Sequence, residues 1–480
     1  MKILGINALN HDAAITVLHH GRIVWAAHSE RYSKVKNDCY LNQQIVDEAL
    51  SYGQPDVIAY YERPWAKKTR QIYAGQWGEV FKLDNIPHFH IRKFGLTAPI
   101  KYVEHHKSHA AAGYYTSKFD KAAVLVVDSI GEWTTTSIWC GENNQLTKMY
   151  DVDYPKSVGL FYSAFTHLLG LKPNEDEYIL MGMAAYGKPK RYYEEVKKIS
   201  KLNLHRGVRK WPYPIATEQD KFDIAAAVQI VYEEYFCSLL KLTREKVDSD
   251  NLVFVGGCAL NCSANRLIGK YFKDVWIMPN PGDAGSSLGA AAAIHEDKIP
   301  WKTAYLGTEI PGKYPVDLAI RHLLNYKIVG VASGRAEFGP RALGNRSLLA
   351  DPRDASVKER VNTIKQRQQF RPFSPVILEE LAEVYFELPN GWKSSPYMQV
   401  VSKCKRPKDF PGIVHEDGTS RVQTVGRDGS GIRALLEEWY AHTGCPMLLN
   451  TSLNIKGKPI VNDRADAIKF EKLYNVKVCT

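Results

Sequence analysis

At 480 residues the chain is too long for one ordinary hydrophobic core, so two or three domains are expected. Hydrophobic residues make up 45% and charged residues 24%, which excludes extended disorder, and no run of eighteen apolar residues marks a membrane span. The 63 basic and 52 acidic side chains leave a net charge of +11, which favours anionic ligands or a polyanionic partner.

The opening MKILGINALNHDAAITVL reads as a strand, with neither the basic start nor the long apolar stretch of a signal peptide, so a cytoplasmic location is expected. The eight cysteines contain no CxxC pair, which argues against a disulfide framework or a thiolate zinc site. MKILGINA, AAITVLHHGRIVWAAHSE, AAVLVVDS and TTTSIWCGENNQLTKMYD are β-rich stretches joined by Gly/Asn turns, while 158–169 and 221–242 carry helical patterns. LVFVGG at 252–257 runs into CALNCSANRLIGKYF, a strand, glycine turn and helix start that would welcome an anion. The Pro-punctuated 297–317 reads as a connection, and a new α/β unit begins near YKIVGVASGRAEFGPRALG. The boundary is therefore expected between 310 and 325, dividing the chain into units 1–315 and 316–480. No internal repeat is visible.

Two stretches stand out chemically. VEHHKSHAAAGYY at 103–115 sets His105 and His109 four apart, on one face of a helix, the spacing that a divalent metal asks for, with His106 pointing elsewhere. An isolated HxxxH is equally compatible with surface histidines. GKPKRYYEEVKKISKLNLHRGVRKW at 187–211 concentrates Lys197, Lys198, Lys201, Arg206 and Arg209 around Tyr192, Tyr193 and Trp211, as a nucleic-acid strand would require. A solvated helix face is the competing reading.

The segments GINALNHDAA, HSERYSKVK, EHHKSHAAAGYY, VVDSIGEWTT, GLFYSAFTHLLGL, VGGCALNCSAN, PNPGDAGSSLGAA, GRAEFGPRALGNRSLLADPRD, NTIKQRQQFRPFSP, HEDGTSRVQTV and PMLLNTSLNIKGKPIV resemble, in order, the O-carbamoyltransferases of the NodU and TobZ type. The resemblance implies an α/β fold with an N-terminal domain of the actin/Hsp70 (ASKHA, Kae1-like) type and a C-terminal YrdC-like α/β domain. It also implies a two-step reaction. Carbamoyl phosphate and ATP, with its Mg, would give carbamoyl-adenylate and pyrophosphate in the C-terminal domain, and the carbamoyl group would pass to an acceptor hydroxyl in the N-terminal domain.

Carried over residue by residue, the resemblance implies a divalent metal, iron in the first place, on His105, His109, Asp128 and Asp283; Mn or Zn would suit the same donors. It places His11 beside the carbamoyl group as a proton acceptor and Lys36 against the leaving phosphate or carbamoyl oxygen. Gly256 and Gly257 would let backbone N–H groups approach the nucleotide, and Asn261 would bond its sugar or base. For carbamoyl phosphate and ATP the candidates are Arg341, Arg346, Lys365, Arg367, Arg371 and Arg421, whose guanidinium forks match phosphate oxygens, with Asn450 and Asn454.

Three sites depart from the family pattern, and the first two line the acceptor side. Ser129 stands where a glycine is usual, Tyr178 and Ile179 where glycine and lysine are common, and Lys458 in place of a glutamate. The leading expectation for the acceptor is the hydroxymethyl group of a modified pyrimidine, 5-hydroxymethylcytosine, in DNA. That is an acceptor implied for viral members, which would place the protein in the host cytoplasm, and it would account for the basic charge. A sugar, antibiotic or other small-molecule hydroxyl is the alternative, and a nucleotide-binding regulatory protein on an actin-like scaffold is the alternative of another class. No membrane partner is expected, and monomer and homodimer both stay open.

Overall fold

A computed structural model describes residues 1–82, 85–427 and 429–480. The N-terminal half contains two five-stranded sheets. The first uses β1 (Lys2–Asn7), β2 (Ala14–His19), β3 (Arg22–His28), β4 (Val57–Tyr60) and β5 (Ile100–Tyr102), in the order β3-β2-β1-β4-β5. The second uses β6 (Lys121–Val127), β7 (Thr134–Glu142), β8 (Gln145–Asp153), β9 (Asn251–Val255) and β10 (Asp274–Trp276), in the order β8-β7-β6-β9-β10. In each, the first three strands form an antiparallel meander and the last two run parallel to the first. The same topology twice is the duplicated architecture of the actin/Hsp70 type. The repeat absent from the sequence is thus present in the fold, because only the hydrophobic alternation is kept and not residue identity.

Central strands β1 and β6 are apolar and buried along nearly their whole length, whereas edge strand β8 has no buried residue. Between the sheets lie two small-residue helices, His105–Thr116 on the second sheet and Ser286–His295 on the first. They touch backbone to backbone. A Cβ on Gly289 would lie 1.8 Å from the carbonyl oxygen of Ser108, and one on Gly5 would lie 1.9 Å from that of Ser287. The close approach sets His109 against the start of the second helix. On the outer face of the second sheet packs the long Glu218–Lys246 helix, begun by a Thr217/Asp220 capping box.

The C-terminal part is a second α/β unit. It is built on a six-stranded sheet of β12 (Ile328–Ala332), β14 (Arg346–Ala350), β15 (Ser374–Leu378), β19 (Gln423–Val425), β20 (Met447–Ser452) and β21 (Val478–Cys479), while β16 (Phe386–Glu387), β17 (Val401–Cys404) and β18 (Thr419–Arg421) form a three-stranded sheet. Helices Val316–Tyr326 and Gly431–Thr443 cover it. The stretch expected to be a bare connection contains a strand, β11 (Tyr305–Ile310), which pairs antiparallel with β13 (Gly334–Glu337); its flanking prolines and glycine masked the signal. Trp392 and Val400 reach back from this unit to the core of the second N-terminal sheet. No helix among the described residues is long and apolar enough to cross a membrane.

Candidate functional site

One cavity of about 590 Å³ is lined by both units. Its N-terminal wall is built where β6 ends and the Ser286–His295 helix begins. The HxxxH pair occupies the first two turns of the His105–Thr116 helix, both imidazoles buried. His105 Nε2 lies 3.2 Å from Asp128 Oδ2, His109 Nε2 lies 3.2 Å from Asp283 Oδ1, and the two Nε2 atoms are 3.2 Å apart. The four ligand atoms fall within 4.8 Å of one another. Ser286 Oγ, 3.2 Å from His109 Nδ1, orients that ring, and Asn10 donates to Asp283. His106 points away, to Ser137.

The cluster's charges depend on one another. Burial penalises the His109 imidazolium, yet hydrogen bonds and charge from Asp128 and Asp283 raise it to about 9. Burial likewise works against the Asp128 carboxylate, but the two histidines hold it well below the usual carboxylate range. Two carboxylates and two imidazoles converging out of water are the donor set of a divalent transition metal, so the residues fit the implied ion.

The glycine pair is built into this wall, and Gly257 lines the cavity. The Gly257 N–H points at Asp128 Oδ1, 3.3 Å away, and the Gly256 N–H is given to the carbonyl of Pro281. Gly256 has φ of 94°, and a Cβ there would lie 2.2 Å from the Val127 carbonyl oxygen, so only glycine fits. The expected anion-ready helix start is a 3₁₀ turn followed by a four-residue helix. Asn261 caps that short helix and exchanges hydrogen bonds with Gln229, so although it lines the cavity most of its side chain is already paired.

His11 faces the cavity with 38% of its side chain exposed, Nε2 lying 3.3 Å from Asp283 Oδ2. It sits beside Asp12, which takes φ of 56° and is held there by Asn7 and by His28, itself bonded to Asn280. Lys36 lines the rim and is paired with Glu30 at 2.7 Å.

The C-terminal wall collects Arg341, Lys365, Arg367, Arg371, Arg421, Asn450 and Asn454. Among the described residues none of these five cations has a carboxylate within 4 Å. Burial, and after it Arg421, pushes Arg341 down to about 9; burial and then neighbouring arginines hold Lys365 and Arg367 well below their usual ranges. Arg371 lies over the Tyr178 ring at 4.7 Å, Arg367 over Phe373 at 4.5 Å, and Arg421 donates to Ser374. Lys365 is engaged by Ser452 and Asn454, and so holds the NTSLN loop. Asn450 donates to Ala342 and Gln423 and keeps a buried, unpartnered Oδ1.

Arg346 does not belong with them. It is fully buried, and its guanidinium is spent on the carbonyls of Thr308, Ser333, Gly334, Asn345 and Asn462. Its role is to tie β14 to its surroundings. The aromatic rings of 187–211 are already partnered: Tyr192 is buried, half-buried Tyr193 bonds Glu234, and half-buried Trp211 packs on Phe165 and Tyr192. Lys197 and Lys198 pair with Glu234 and Glu195, leaving Lys201, Arg206 and Arg209 exposed. Residues that sequence reasoning passed over include Ser286, Asn10, Glu30 and the His28–Asn280 pair. Only Ser286, three positions after Asp283 at a helix start, carried a signal.

Residues 61–292 match the family model described as the carbamoyltransferase N-terminus, and 320–479 match the carbamoyltransferase C-terminus. The chain is 33% identical to an uncharacterized protein of Synechocystis sp., over 97% of this chain and 93% of that one. It is 30% identical to the nodulation protein NolNO of Sinorhizobium fredii, over 96% and 77%. With the 3'-hydroxymethylcephem-O-carbamoyltransferase of Amycolatopsis lactamdurans the identity is 26%, over 96% and 94%.

Proposed function

The chain belongs to the carbamoyltransferase family and is a carbamoyltransferase, and from that premise we propose that it activates carbamoyl phosphate with ATP and transfers the carbamoyl group to an acceptor hydroxyl. The observation that carries this reading is one cavity with five cations that lack acids among the described residues on one wall and, on the other, Asp128 and Asp283 backed by His105 and His109 in a four-donor cluster. In the first step carbamoyl phosphate loses its phosphate to water, and the carbamate oxygen attacks the α-phosphorus of ATP, breaking the anhydride and releasing pyrophosphate. Arg341, Arg371 and Arg421 clamp the phosphates, and the free Oδ1 of Asn450 accepts from the carbamoyl amide.

In the second step the acceptor oxygen attacks the carbamoyl carbon and AMP leaves. His11 takes the hydroxyl proton on Nδ1, the nitrogen left free when Nε2–H is given to the Asp283 carboxylate. Lys36 sets a cation at the rim beside the departing phosphate. A divalent metal on His105, His109, Asp128 and Asp283, iron being the leading assignment, would supply Lewis-acid charge to the phosphate and carbamoyl oxygens.

For the acceptor we take the hydroxymethyl group of 5-hydroxymethylcytosine in DNA, supported by the net charge of +11. A small-molecule hydroxyl is the second reading, favoured by the relative named for a hydroxymethylcephem. Incubation with ATP, carbamoyl phosphate and a divalent metal, with pyrophosphate assayed and acceptors scanned by mass spectrometry, tests all of this. Carbamoylated nucleoside supports the first reading; a carbamoylated small molecule alone replaces it with the second; pyrophosphate release that does not depend on carbamoyl phosphate overturns the chemistry.

A further inference from the structure

We propose that a face built by the Pro64–Tyr73 helix, residues 74–81, Trp133 and Tyr154, and continued by Lys201, Arg206 and Arg209, binds a single nucleic-acid strand next to the cavity. It deepens the DNA reading above and rests on it only for what happens after binding. Trp65, Thr69 and Tyr73 stand at i, i+4 and i+8, one stripe of that helix. Trp65 and Tyr73 are 77% and 68% exposed, and Trp77 and Phe81 follow, also exposed. The stripe continues through rings of other segments. Tyr73 lies 5.4 Å from Trp133 and 6.1 Å from Tyr154, and Tyr154 lies 5.3 Å from His205.

The basic segment abuts this ladder: His205 Nε2 is 3.3 Å from the Gln76 amide, and Arg206 lies over Gly75. Arg206, Lys201 and Arg209 are exposed and have no acidic partner among the described residues, unlike Lys197 and Lys198. Cations without acids beside exposed ring faces match a strand of phosphodiesters, with phosphates on the charges and bases on the rings.

The ladder is also fastened to the catalytic wall. Trp133 follows Ser129, a cavity residue, by four positions, at most about 14 Å of chain. Between them Glu132, buried, binds Arg63 at the start of the Pro64–Tyr73 helix and accepts from the His105 backbone N–H. The platform is thereby held in register with the metal ligands, so a base leaving its stack there is close to the cavity. The sequence points to Tyr192, Tyr193 and Trp211 as the platform; the fold instead sets the rings of Tyr73, Trp133 and Tyr154 beside Lys201, Arg206 and Arg209.

The test is fluorescence anisotropy with a short single-stranded oligodeoxynucleotide, unmodified and carrying 5-hydroxymethylcytosine. Tyr73→Ala and Trp65→Ala should each weaken binding of both by about tenfold. Arg206→Ser should lower the salt slope by about one. Pyrophosphate formation from ATP and carbamoyl phosphate should be unchanged in all three. Strand binding at wild-type strength in these variants overturns the surface, as does loss of self-association in place of strand binding. If the variants lose the strand but the wild type carbamoylates no nucleoside, the surface stands and the acceptor reading falls. If Tyr73→Ala carbamoylates the oligonucleotide as well as the wild type does, the acceptor reading stands and the surface falls.

Discussion

Behind the N-terminal wall of the cavity two imidazoles crowd within 4.8 Å of the two carboxylates that line it, whereas on the C-terminal wall Arg341, Lys365, Arg367, Arg371 and Arg421 have no carboxylate within 4 Å among the described residues. Each wall is electrostatically incomplete in its own sense. A cation would complete the first, and an anion the second, whose charges burial penalises. The proposed function puts the metal-dependent transfer on one wall and phosphate activation on the other, and each half of that proposal can be broken separately.

Largest in effect is removal of the metal wall. Asp283→Ala or His109→Ala should lose the metal and depress transfer by roughly three orders of magnitude, the several kcal/mol of a Lewis acid, while pyrophosphate is still released. Metal analysis beside a pyrophosphate assay decides it: parallel loss of both activities would merge the two walls into one function. Next comes the cationic wall. Arg341→Ala or Arg371→Ala should slow adenylate formation by about 10²- to 10³-fold. Added carbamoyl-adenylate should restore transfer, and failure to restore it would reassign these arginines.

Arg346 sharpens the contrast, being an arginine of the same motif facing the other way. Arg346→Ala should cost on the order of 3 kcal/mol or more in denaturant unfolding, because it strands buried carbonyls, with near-normal phosphate affinity in the folded fraction. Unchanged stability with lost phosphate binding would return Arg346 to the cavity wall.

The same arginine shows where the sequence stops informing. GPRALGNRS presents Arg341 and Arg346 as equals, since residue type and spacing carry no record of which side of a turn faces solvent. His105 and His109 were legible because four residues on a helix fix a common face. Asp128 and Asp283 were reachable only by resemblance, being distant in the chain and joined by the packing that Gly289 permits. The α/β class and most strands could be read from hydrophobic alternation. The duplicated sheet order could not, because pairing partners such as β6 and β9 lie over a hundred residues apart. Gly256 and Gly257 stand out in the sequence, but a required glycine does not say what approaches it, and the contacts to Pro281 and Asp128 are legible only in the fold.

The smallest expected effect concerns an arginine that has its acid. Arg433, not among the cavity-lining residues, is bonded to Glu380 at 2.6 Å and to Glu437 at 2.8 Å, the arrangement that the cavity cations lack among the described residues. The hydrogen bond from Arg433 holds the Glu380 carboxyl down to about 2, against a usual value of about 4.3. A folded value below the unfolded one means stability that is present above the unfolded pKa and is lost as pH falls through the folded one. Glu380 is 42% exposed, so solvent screens the pair and its worth should stay below about 1 kcal/mol. Glu380→Gln should therefore lower stability slightly at about pH 6 and converge with the wild type as pH falls from about 4.3 towards 2, read from denaturant midpoints across that range. A variant whose deficit persists unchanged to the acid end would mean that packing around Arg433, and not its charge pairing, separates it from the unpaired arginines of the cavity.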